Sequence, residues 1–325
     1  MREALQARML ELLPHTHKNP LLEDFYQLIR DYPQRSGKLI RGQLLLLSYE
    51  AHGGIWRDAL DVAAALELFQ NWVLIHDDIE DDSEERRGKP ALHHLCGMPI
   101  ALNVGDALHV YMWQALHNIS FAPDIKNTVL RIFQDMISRT AEGQHLDLSW
   151  IRRENFEVSE ADYLEMVSLK TAHYTVISPL QIGACLASHP IDERLERAGL
   201  ALGIAFQIRD DVLNLLPEVS YGKEFAGDLY EAKRTLILAH CFAQADSAER
   251  AELMGVLSKA RANKTPQDID RILAIIDKHQ SIAYAQSFAQ KQTRLGLDLI
   301  RNYLQEQRQA DRLLALLETL VTRLH

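Results

Sequence analysis

Long segments of helical periodicity, rarely interrupted, are the feature that most limits how this chain can fold. Glycine and proline contribute only 15 and 10 of its 325 residues, and they separate segments whose apolar residues recur at helical spacing. No convincing run of alternating apolar and polar residues indicates a strand. We therefore predict an all-α fold, with helices near 2–13, 21–31, 38–51, 57–81, 98–117, 124–146, 159–169, 172–187, 192–216, 229–244, 247–261, 266–289 and 292–322.

The overall composition restricts the class of protein. A hydrophobic content of 47% is sufficient for a large core, and a charged content of 25% argues against disorder. No Ser/Gly-rich linker or change in composition divides the chain, so we expect one helical domain over residues 1–325. The net charge of -10 argues against a nucleic-acid partner, because binding to the phosphate backbone needs a basic face.

The cysteines and the N-terminal segment indicate the cellular compartment. The three cysteines lack CxxC spacing, which favours neither a disulfide framework nor a cysteine zinc site. The N-terminal segment is amphipathic and contains acids, unlike a signal peptide. No apolar run approaches the ~18 residues that a membrane span requires. We expect a soluble, cytoplasmic protein.

An unusual concentration of acids follows one apolar helical run. The run from Leu66 to Ile75 leads into seven acids among residues 77–85. Acids are unfavourable at a helix C-terminus, and Asp77 and Asp81 repel each other because they share a face. A divalent cation such as Mg²⁺ would offset both penalties, since it binds carboxylates together with phosphate oxygens. The alternative at this stage is a solvated acidic helix end without a function.

A later predicted helix, 192–216, repeats this design. Its apolar sequence ends in Asp210 and Asp211, and Asn214 lies one turn beyond. Two acidic helix ends that face one cavity could hold a cluster of metal ions from both sides. The same helix carries two glycines that would let it approach a neighbouring helix closely, Gly199 and Gly203.

Basic residues near these segments are candidate phosphate ligands. Lys38 and Arg41 are three residues apart at a predicted helix start, beside backbone N–H groups that could cradle an anion. Arg86 and Arg87 follow the first acidic segment, and the planar guanidinium suits phosphate. Each of these pairs could instead be surface charge or balance the charge of neighbouring acids. The further candidates, with the same alternative, are Lys170 beside Thr171, and Lys223, Asp228 and Lys233 in a predicted charged loop.

Taken together and in order, these residues resemble the trans-isoprenyl diphosphate synthases, or polyprenyl synthetases. The family's first motif, DDxxD, matches Asp77, Asp78 and Asp81, and its second motif matches FQIRDD at 206–211. One departure is Asn214, where the family often has an aspartate; another is the absence of the two-residue insertion found in typical bacterial farnesyl synthases. The remaining matches are Gly37, Lys38 and Arg41, then Arg86-Arg87-Gly88, Gly143-Gln144, Lys170-Thr171, Lys223, Gly227-Asp228 and Lys233.

The resemblance implies an isoprenoid-synthase-type helical bundle around a central cavity and a homodimer. It also implies Mg²⁺-dependent condensation of isopentenyl diphosphate with dimethylallyl, geranyl or farnesyl diphosphate. The implied metal ligands are Asp77, Asp78, Asp81, Asp210 and Asp211. The implied contacts of the allylic diphosphate are Arg86, Lys170, Lys223 and Lys233, and those of isopentenyl diphosphate are Lys38, Arg41, Gln70 and Arg87. Thr171 and Gln207 are further substrate-binding positions, and the catalytic set is Asp77, Asp81, Asp210, Lys170 and Lys223.

Product length is expected to depend on the residues below the first motif. Val73 lies four residues before Asp77, and Trp72 lies five before it, roughly 7.5 Å along the helix axis. By resemblance to the family, both positions line the pocket for the growing tail, and a tryptophan would close it. An ordinary core tryptophan is the alternative. The resemblance favours geranylgeranyl diphosphate as product and leaves farnesyl diphosphate open.

Two rival functions remain at this stage. A class I terpene cyclase is also all-α and Mg²⁺-dependent, and the segment DDVLNLLPE at 210–218 is one substitution from that family's second metal motif. A cyclase has no need for the second diphosphate site formed by Lys38, Arg41 and Arg87, so the prenyltransferase is favoured. The other rival is a non-catalytic subunit of a heteromeric synthase, which would tend to lose the metal-binding aspartates that are present here.

Overall fold

The computed structural model describes residues 1–35, 37–216, 225–305 and 310–322, and the described chain is all-α. In that part of the chain the only strands are the two-residue strands β1 (Glu85–Arg86) and β2 (Lys89–Pro90), which pair antiparallel. The first helices are α1 Arg2–Glu11, α2 Pro20–Gln34, α3 Ile40–Ala51, α4 Leu60–Glu80, α5 Leu92–Cys96, α6 Met98–His117, α7 Pro123–Arg152 and α8 Glu160–Val167. The remaining helices are α9 Ser178–Leu186, α10 Glu193–Asn214, α11 Gly227–Tyr230, α12 Leu236–Gln244, α13 Ser247–Leu257, α14 Pro266–Lys278, α15 Ser281–Leu304 and α16 Asp311–Thr322.

Three further helical elements, none of them an α-helix, complete the described secondary structure. A 3₁₀ turn, Trp56–Ala59, precedes α4, and another, Arg261–Asn263, precedes α14. A π-helix, Ser168–Ile177, connects α8 directly to α9. The π-helix is the notable one, because such helices are rare and frequently occur at functional sites.

The chain divides into two compact units. Unit 1 comprises Met1–Gln134, Ser178–Asp192 and Tyr303–Leu314, and unit 2 comprises Asp135–Ile177, Glu193–Asn302 and Ala315–His325. Each unit is described by itself below, and the single domain expected over 1–325 stays a prediction. Among the described residues, no helix is both long enough and apolar enough to cross a bilayer.

The core of unit 1 forms where α4 packs on α6 and α3 packs on α9. Residues 62–71 of α4 are all buried, which fixes the helix along its length before its acidic end. The α3–α9 contact is close, because a Cβ on Gly183 would lie 2.5 Å from the Cβ of Ser48. The Ser48 hydroxyl donates a 2.7 Å hydrogen bond to the carbonyl of Leu180 in the same contact.

The core of unit 2 places α10 against the π-helix. A Cβ on Gly203 would lie 2.5 Å from the Cα of Ala172, and a Cβ on Gly199 would lie 2.8 Å from Ile177. Any side chain at these two positions would force the helices apart, so the close approach predicted from Gly199 and Gly203 is confirmed. The second acidic motif is therefore fixed against the helix that carries Lys170 and Thr171.

Several predicted helix boundaries are wrong. The predicted helix 172–187 is instead the end of the π-helix followed by α9, without a break before it. The predicted helix 266–289 stops at Lys278, since Gln280 adopts a left-handed conformation with φ 52°, and α15 then continues through the expected break near 290. The predicted helix 292–322 is not continuous, because α15 ends at Leu304 and α16 begins at Asp311.

One further helix, predicted at 229–244, is divided into α11 and α12. Ala232 between them has φ 57°, a conformation that glycine or asparagine usually supplies at a helix end. Because an alanine and a glutamine adopt it in this chain, the sequence contains no signal for either interruption. The short helix α5 and the β1–β2 pair were also missed, since both are shorter than a recognisable period.

Candidate active site

The first acidic motif occupies the C-terminal end of α4 in unit 1. Asp78 is fully buried, whereas Asp77 and Asp81 are partly exposed. The Tyr32 hydroxyl donates a 2.5 Å hydrogen bond to Asp78, and Arg86 Nε donates to both oxygens of the same carboxylate at 3.0 and 3.1 Å. The structure thus separates an interior aspartate from a more exposed pair on one helix face. The exposed pair supplies the carboxylate oxygens that Mg²⁺ prefers.

Arg86 and Asp78 form a buried ion pair. Arg86 is 9% exposed, and its guanidinium lies 3.6 Å from Asp77 as well as contacting Asp78. The backbone around it is held by Arg35, which donates hydrogen bonds of 3.0 Å to the carbonyls of Arg86 and Pro90. These contacts support the charge-balance interpretation of Arg86. Phosphate binding by Arg86 and metal binding by Asp78 stay predictions.

A buried glutamate lies among the predicted diphosphate ligands of unit 1. Glu67 on α4 is 2% exposed and accepts a 2.7 Å hydrogen bond from the N–H of Gly42. Burial raises the pKa of Glu67, and the charges of Arg41 and Arg87 partly oppose that rise. The two predicted arginines therefore lie around one interior carboxylate. Sequence reasoning missed Glu67, although an isolated acid in the apolar run before the motif was a usable signal.

Two of the predicted ligands of isopentenyl diphosphate, Arg87 and Lys38, differ in their surroundings. Arg87 donates to the carbonyls of Tyr32 and Arg35 at 3.1 Å, and a Cβ on Gly37 would lie 3.1 Å from its guanidinium carbon. Lys38 is exposed and lies just before α3, which begins at Ile40 and not at 38 as predicted. Glycine at 37 thus gives the Arg87 side chain the space it occupies.

Gln70 is the remaining predicted ligand in unit 1. It lies one helical turn after Glu67 on α4 and is 6% exposed. Within the described part of the chain, its side-chain oxygen is buried without a hydrogen-bond partner. Buried polar atoms are nearly always satisfied, so this oxygen is suited to accept a hydrogen bond from a donor.

The second acidic motif repeats the arrangement of the first inside unit 2. Asp211 is buried and accepts hydrogen bonds from the Tyr163 hydroxyl at 2.6 Å and the Gln207 amide at 2.8 Å, whereas Asp210 is partly exposed. Burial raises the pKa of Asp211 to about 6. The Thr171 hydroxyl donates to Gln207 at 2.8 Å. The predicted substrate-binding residues Thr171 and Gln207 therefore form one hydrogen-bonded chain that leads to Asp211.

Asn214, the departure from the family motif, has a structural contact. Its side-chain oxygen accepts a hydrogen bond from the N–H of Asp228 at 3.1 Å, and its carbonyl accepts one from Ala226 at 2.8 Å. Asparagine at this position thus anchors the turn that begins α11. The segment 217–224 between these residues, which contains the predicted ligand Lys223, lies outside the described residues.

Two predicted lysine ligands lie in unit 2. Lys170 on the π-helix donates to Asp147 at 2.6 Å, and Gly143 permits the close approach, because a Cβ there would lie 2.3 Å from the backbone nitrogen of Lys170. Lys233 lies 3.0 Å from Glu231, and its charge lowers the pKa of Asp211, although burial of that carboxyl dominates. Both lysines are thus held by acids near the second motif or its supporting helix.

An aromatic cluster surrounds Trp72, below the first motif. The indole stacks on the His109 ring, with centroids 4.2 Å apart and an interplanar angle of 19°. Trp113 Nε1 donates to His109 at 2.8 Å, and Phe69 contacts the indole edge-on at 5.6 Å. Trp72 and Val73 are both only partly buried. The sequence predicted a role for Trp72 but missed its stacking partner on α6.

Comparison with known proteins decides among the candidate functions. Residues 23–276 match the family model described as polyprenyl synthetase. The chain belongs to the polyprenyl synthetase family. Membership, together with relatives named geranylgeranyl diphosphate synthase, supports a trans-prenyltransferase over a terpene cyclase.

Individual polyprenyl synthetases are similar over most of their length. A short chain isoprenyl diphosphate synthase of Methanothermobacter thermautotrophicus is 35% identical over 263 residues, covering 80% of this chain and 78% of the relative. A geranylgeranyl diphosphate synthase of Saccharolobus solfataricus is 34% identical, with coverage of 82% and 80%. The crystal structure of geranylgeranyl pyrophosphate synthetase from Pyrococcus horikoshii superposes with a TM-score of 0.86 at 29% identity, covering 99% and 96% of the two chains.

These similarities support prenyl chain elongation as the activity of this polyprenyl synthetase, and prenyl diphosphates are the substrates that fit the family. The roles of individual residues come from the geometry above. Within each unit, one member of the acidic pair is interior and hydrogen-bonded, and the other is partly exposed.

Proposed function

We propose that this enzyme joins isopentenyl diphosphate head-to-tail to an allylic diphosphate, in a Mg²⁺-dependent reaction that yields a short all-trans prenyl diphosphate. The observation that carries the proposal is the repeated design of the two acidic motifs. In each motif a tyrosine holds the second aspartate inside its unit, while the first aspartate remains partly exposed. One such site could be structural, but the repetition in a polyprenyl synthetase supports a metal-binding role for both motifs.

We assign metal binding to the more exposed carboxylates, which are Asp77 and Asp81 in the first motif and Asp210 in the second. Bound Mg²⁺ would neutralise part of the diphosphate charge and so make it a better leaving group. We assign Asp78 and Asp211 mainly to positioning, since each already accepts hydrogen bonds from a tyrosine and a second side chain.

The allylic diphosphate would also contact cationic side chains. Lys170 and Lys233 can donate to its oxygens if they exchange their contacts with Asp147 and Glu231 for the diphosphate. Such charge-assisted hydrogen bonds are stronger than neutral ones. Lys223 and Arg86 stay predicted contacts from the family resemblance.

Isopentenyl diphosphate would bind to Lys38, Arg41 and Arg87, with Gln70 as a further hydrogen-bonding group. The arginine pair around Glu67 supports this assignment, whereas Gln70, whose amide N–H would have to donate, stays a predicted contact from the family resemblance. A separate anion site of this kind is what a two-substrate condensation requires and what a cyclase lacks.

The reaction then needs a charged leaving group, a nucleophile and a proton acceptor. Departure of diphosphate from the allylic substrate breaks its C1–O bond and leaves an allylic cation. The double bond of isopentenyl diphosphate attacks that cation, and loss of a proton from the adduct regenerates a double bond. By family analogy, the released diphosphate accepts the proton.

The direct test is incubation of the full chain with Mg²⁺, labelled isopentenyl diphosphate and, in turn, dimethylallyl, geranyl and farnesyl diphosphate. We expect labelled prenyl diphosphates whose dephosphorylated alcohols can be sized by chromatography. Glu80→Gln, at an exposed acid of the same helix end, should retain activity, whereas Asp77→Ala should abolish it. Hydrocarbon products without incorporation of isopentenyl diphosphate would contradict the proposal.

We propose that geranylgeranyl diphosphate is favoured over farnesyl diphosphate. Trp72 would close the tail pocket, because its ring is fixed between Phe69 and His109, and Val73 would line it. Trp72→Ala should lengthen the product, while Trp56→Ala, in the turn before the same helix, should not. An unchanged product from Trp72→Ala would identify Trp72 as an ordinary packing residue.

We also propose a cytoplasmic homodimer. The helix α6 has exposed apolar side chains at Met98, Ile100, Leu102 and Val110, with exposures of 45% or more, and such apolar surface is suited to burial against a second copy. Sedimentation should give twice the chain mass, and Leu102→Glu should shift it towards the monomer. All three cysteines are unpaired, which supports a reducing compartment.

A further inference from the structure

Three side chains that follow the first acidic motif bring potential metal-ligand atoms together. They are Asp82, His93 and His94, and one ligand atom from each lies within 4.8 Å of the others. His93 Nε2 lies 3.8 Å from Asp82 Oδ1. In the described part of the chain, no other group of three histidine, cysteine, aspartate or glutamate side chains has ligand atoms this close to one another. None of the three belongs to the residues assigned above to Mg²⁺ or to diphosphate.

His93 gives independent support for a ligand at this position. Its side chain is only 8% exposed. Among the described residues, neither of its ring nitrogens has a hydrogen-bond partner. A buried imidazole normally has at least one such partner. The unsatisfied ring is adjacent to the Asp82 carboxylate and the His94 ring, whose centroid is 4.1 Å from its own.

The surrounding backbone holds this cluster in place. The β1–β2 pair closes the loop between Asp82 and α5, and the N–H of Ala91 donates to the carbonyl of Glu84 at 2.9 Å. The N–H of Leu92 donates to the Tyr32 hydroxyl at 3.1 Å, which ties α5 to the interior of unit 1. His93 is therefore fixed by the fold.

The other two side chains have the freedom to adjust. The Asp82 side chain is 75% exposed and that of His94 is 36% exposed. Ligands bound at about 2.0 Å in a tetrahedral site lie about 3.3 Å apart. The ligand atoms of His93 and Asp82 are 3.8 Å apart and all three lie within 4.8 Å of one another, so they must approach by up to about 1.5 Å. Rotations of the exposed Asp82 and His94 side chains can bring them closer.

We propose that Asp82, His93 and His94 bind one late first-row transition-metal ion, such as Zn²⁺ or Ni²⁺. Two imidazole nitrogens and one carboxylate suit these ions, whereas Mg²⁺ prefers oxygen ligands only. Three protein ligands leave a fourth position for water. Glu84, whose carboxylate lies 3.6 Å from His94 Nε2, can accept a hydrogen bond from that water.

The consequence is a second class of metal site beside the first acidic motif. Asp82 directly follows Asp81, so an ion at Asp82 would connect the end of α4 to α5. The proposal concerns binding and does not depend on the proposed condensation reaction.

The test uses the full chain after removal of metals, at pH 7.5, with excess Mg²⁺ to saturate the acidic motifs. Zn²⁺ is titrated by calorimetry, and Co²⁺ is titrated by its visible absorption, which reports imidazole ligation. We expect one Zn²⁺ per chain in the presence of Mg²⁺, and a Co²⁺ spectrum typical of four-coordinate nitrogen and oxygen ligands.

Two exposed ligands provide variants with little effect on folding. His94→Gln and Asp82→Asn should each weaken Zn²⁺ binding at least 10-fold, with unchanged thermal unfolding of the metal-free protein. Asp77→Asn should leave it within about twofold. Absence of Zn²⁺ binding, equal binding by His94→Gln and the unaltered chain, or loss of Zn²⁺ binding in Asp77→Asn would each overturn the proposal.

Discussion

The hydroxyl of Tyr163 donates a 2.6 Å hydrogen bond to Asp211. In the other unit, Tyr32 makes the same contact with Asp78 at 2.5 Å. Burial raises the pKa of both tyrosines, so each hydroxyl keeps its proton and remains a donor. In each acidic motif, a tyrosine hydroxyl thus stabilises one of two adjacent carboxylates that repel each other. One aspartate of each pair is stabilised by hydrogen bonds in the interior, and the other is partly exposed.

The first prediction concerns this tyrosine contact. Tyr163→Phe should lower kcat at least about 10-fold, because the buried Asp211 loses a donor, which costs about 1–3 kcal/mol, and the motif loses its fixed geometry. The pKa of Asp211 should rise further, since the Tyr163 hydrogen bond lowers it at present. Steady-state kinetics of condensation would measure the change. Tyr284→Phe, which removes a hydroxyl bonded to Glu160 elsewhere in unit 2, is the control, and equal losses in both variants would contradict this role.

The second prediction concerns Glu67. Glu67→Gln keeps an acceptor for the N–H of Gly42 but removes the charge between Arg41 and Arg87. The two guanidinium groups should then repel each other, and KM for isopentenyl diphosphate should rise about 10-fold, equivalent to about 1.4 kcal/mol. KM for the allylic substrate should stay within about twofold.

The matched control for Glu67 is Glu50→Gln on α3, where the carboxylate pairs with the exposed Arg312. That variant should leave both KM values unchanged. If Glu67→Gln also left them unchanged, then Glu67 would be protonated in the native enzyme and would not organise the arginines.

The third prediction tests the close approach at the π-helix. Gly143→Ala should destabilise unit 2, because the new Cβ would lie 2.3 Å from the backbone nitrogen of Lys170, and overpacking costs about 1–3 kcal/mol. Displacement of Lys170 should also reduce kcat. Gly255→Ala in α13 is the control, since its Cβ would meet no described atom within 4 Å, and it should stabilise by about 0.5–1 kcal/mol. Equal melting temperatures for the two variants would rule out the packing argument.

The fourth prediction is a pH dependence due to His173 on the π-helix. Burial, and then the charge of Arg139, lower the pKa of His173 to about 4. Below pH 6.5 the unfolded chain binds a proton that the folded chain excludes, so stability falls as the pH decreases from 6.5 towards 4. After a discount for the partial hydration of the ring, the loss should be about 1–2 kcal/mol.

Denaturant unfolding between pH 4 and 7 would measure this contribution of His173 to the free energy of unfolding. His173→Gln should show a smaller loss of stability over that range than the unaltered chain, because Gln does not titrate. His117→Gln, at an exposed position on α6, should behave like the unaltered chain. Parallel pH curves for all three proteins would exclude His173 as the cause.

Much of this fold was predictable from residues with a local signal. The bounds of α6, Met98–His117, agree with the predicted helix 98–117, since its apolar period is regular and a proline lies in its first turn. The close approach of α10 to a neighbouring helix was predictable because Gly199 and Gly203 leave space for it, although the identity of that neighbour was not. Both signals lie within a single helix.

The parts that could not be predicted depend on tertiary contacts. No local pattern indicates that Tyr32 would meet Asp78, 46 residues later, or that Tyr163 would meet Asp211, 48 residues later. The π-helix could not be predicted either, because its sequence has no period that distinguishes it from an α-helix. The sequence could therefore name both acidic pairs, but not which aspartate of each pair would be buried.

The central proposal is that the partly exposed aspartates of both motifs act in one step, the metal-dependent loss of the allylic diphosphate. The most direct measurement is the rate of condensation at saturating Mg²⁺ for Asp77→Asn, Asp210→Asn and the double variant. We predict that each single variant loses about 10³-fold or more in kcat/KM, and that the double variant is at most about 10-fold worse, because residues that act as a unit are not additive. Near-normal turnover in either single variant, or fully multiplicative losses in the double variant, would contradict the account.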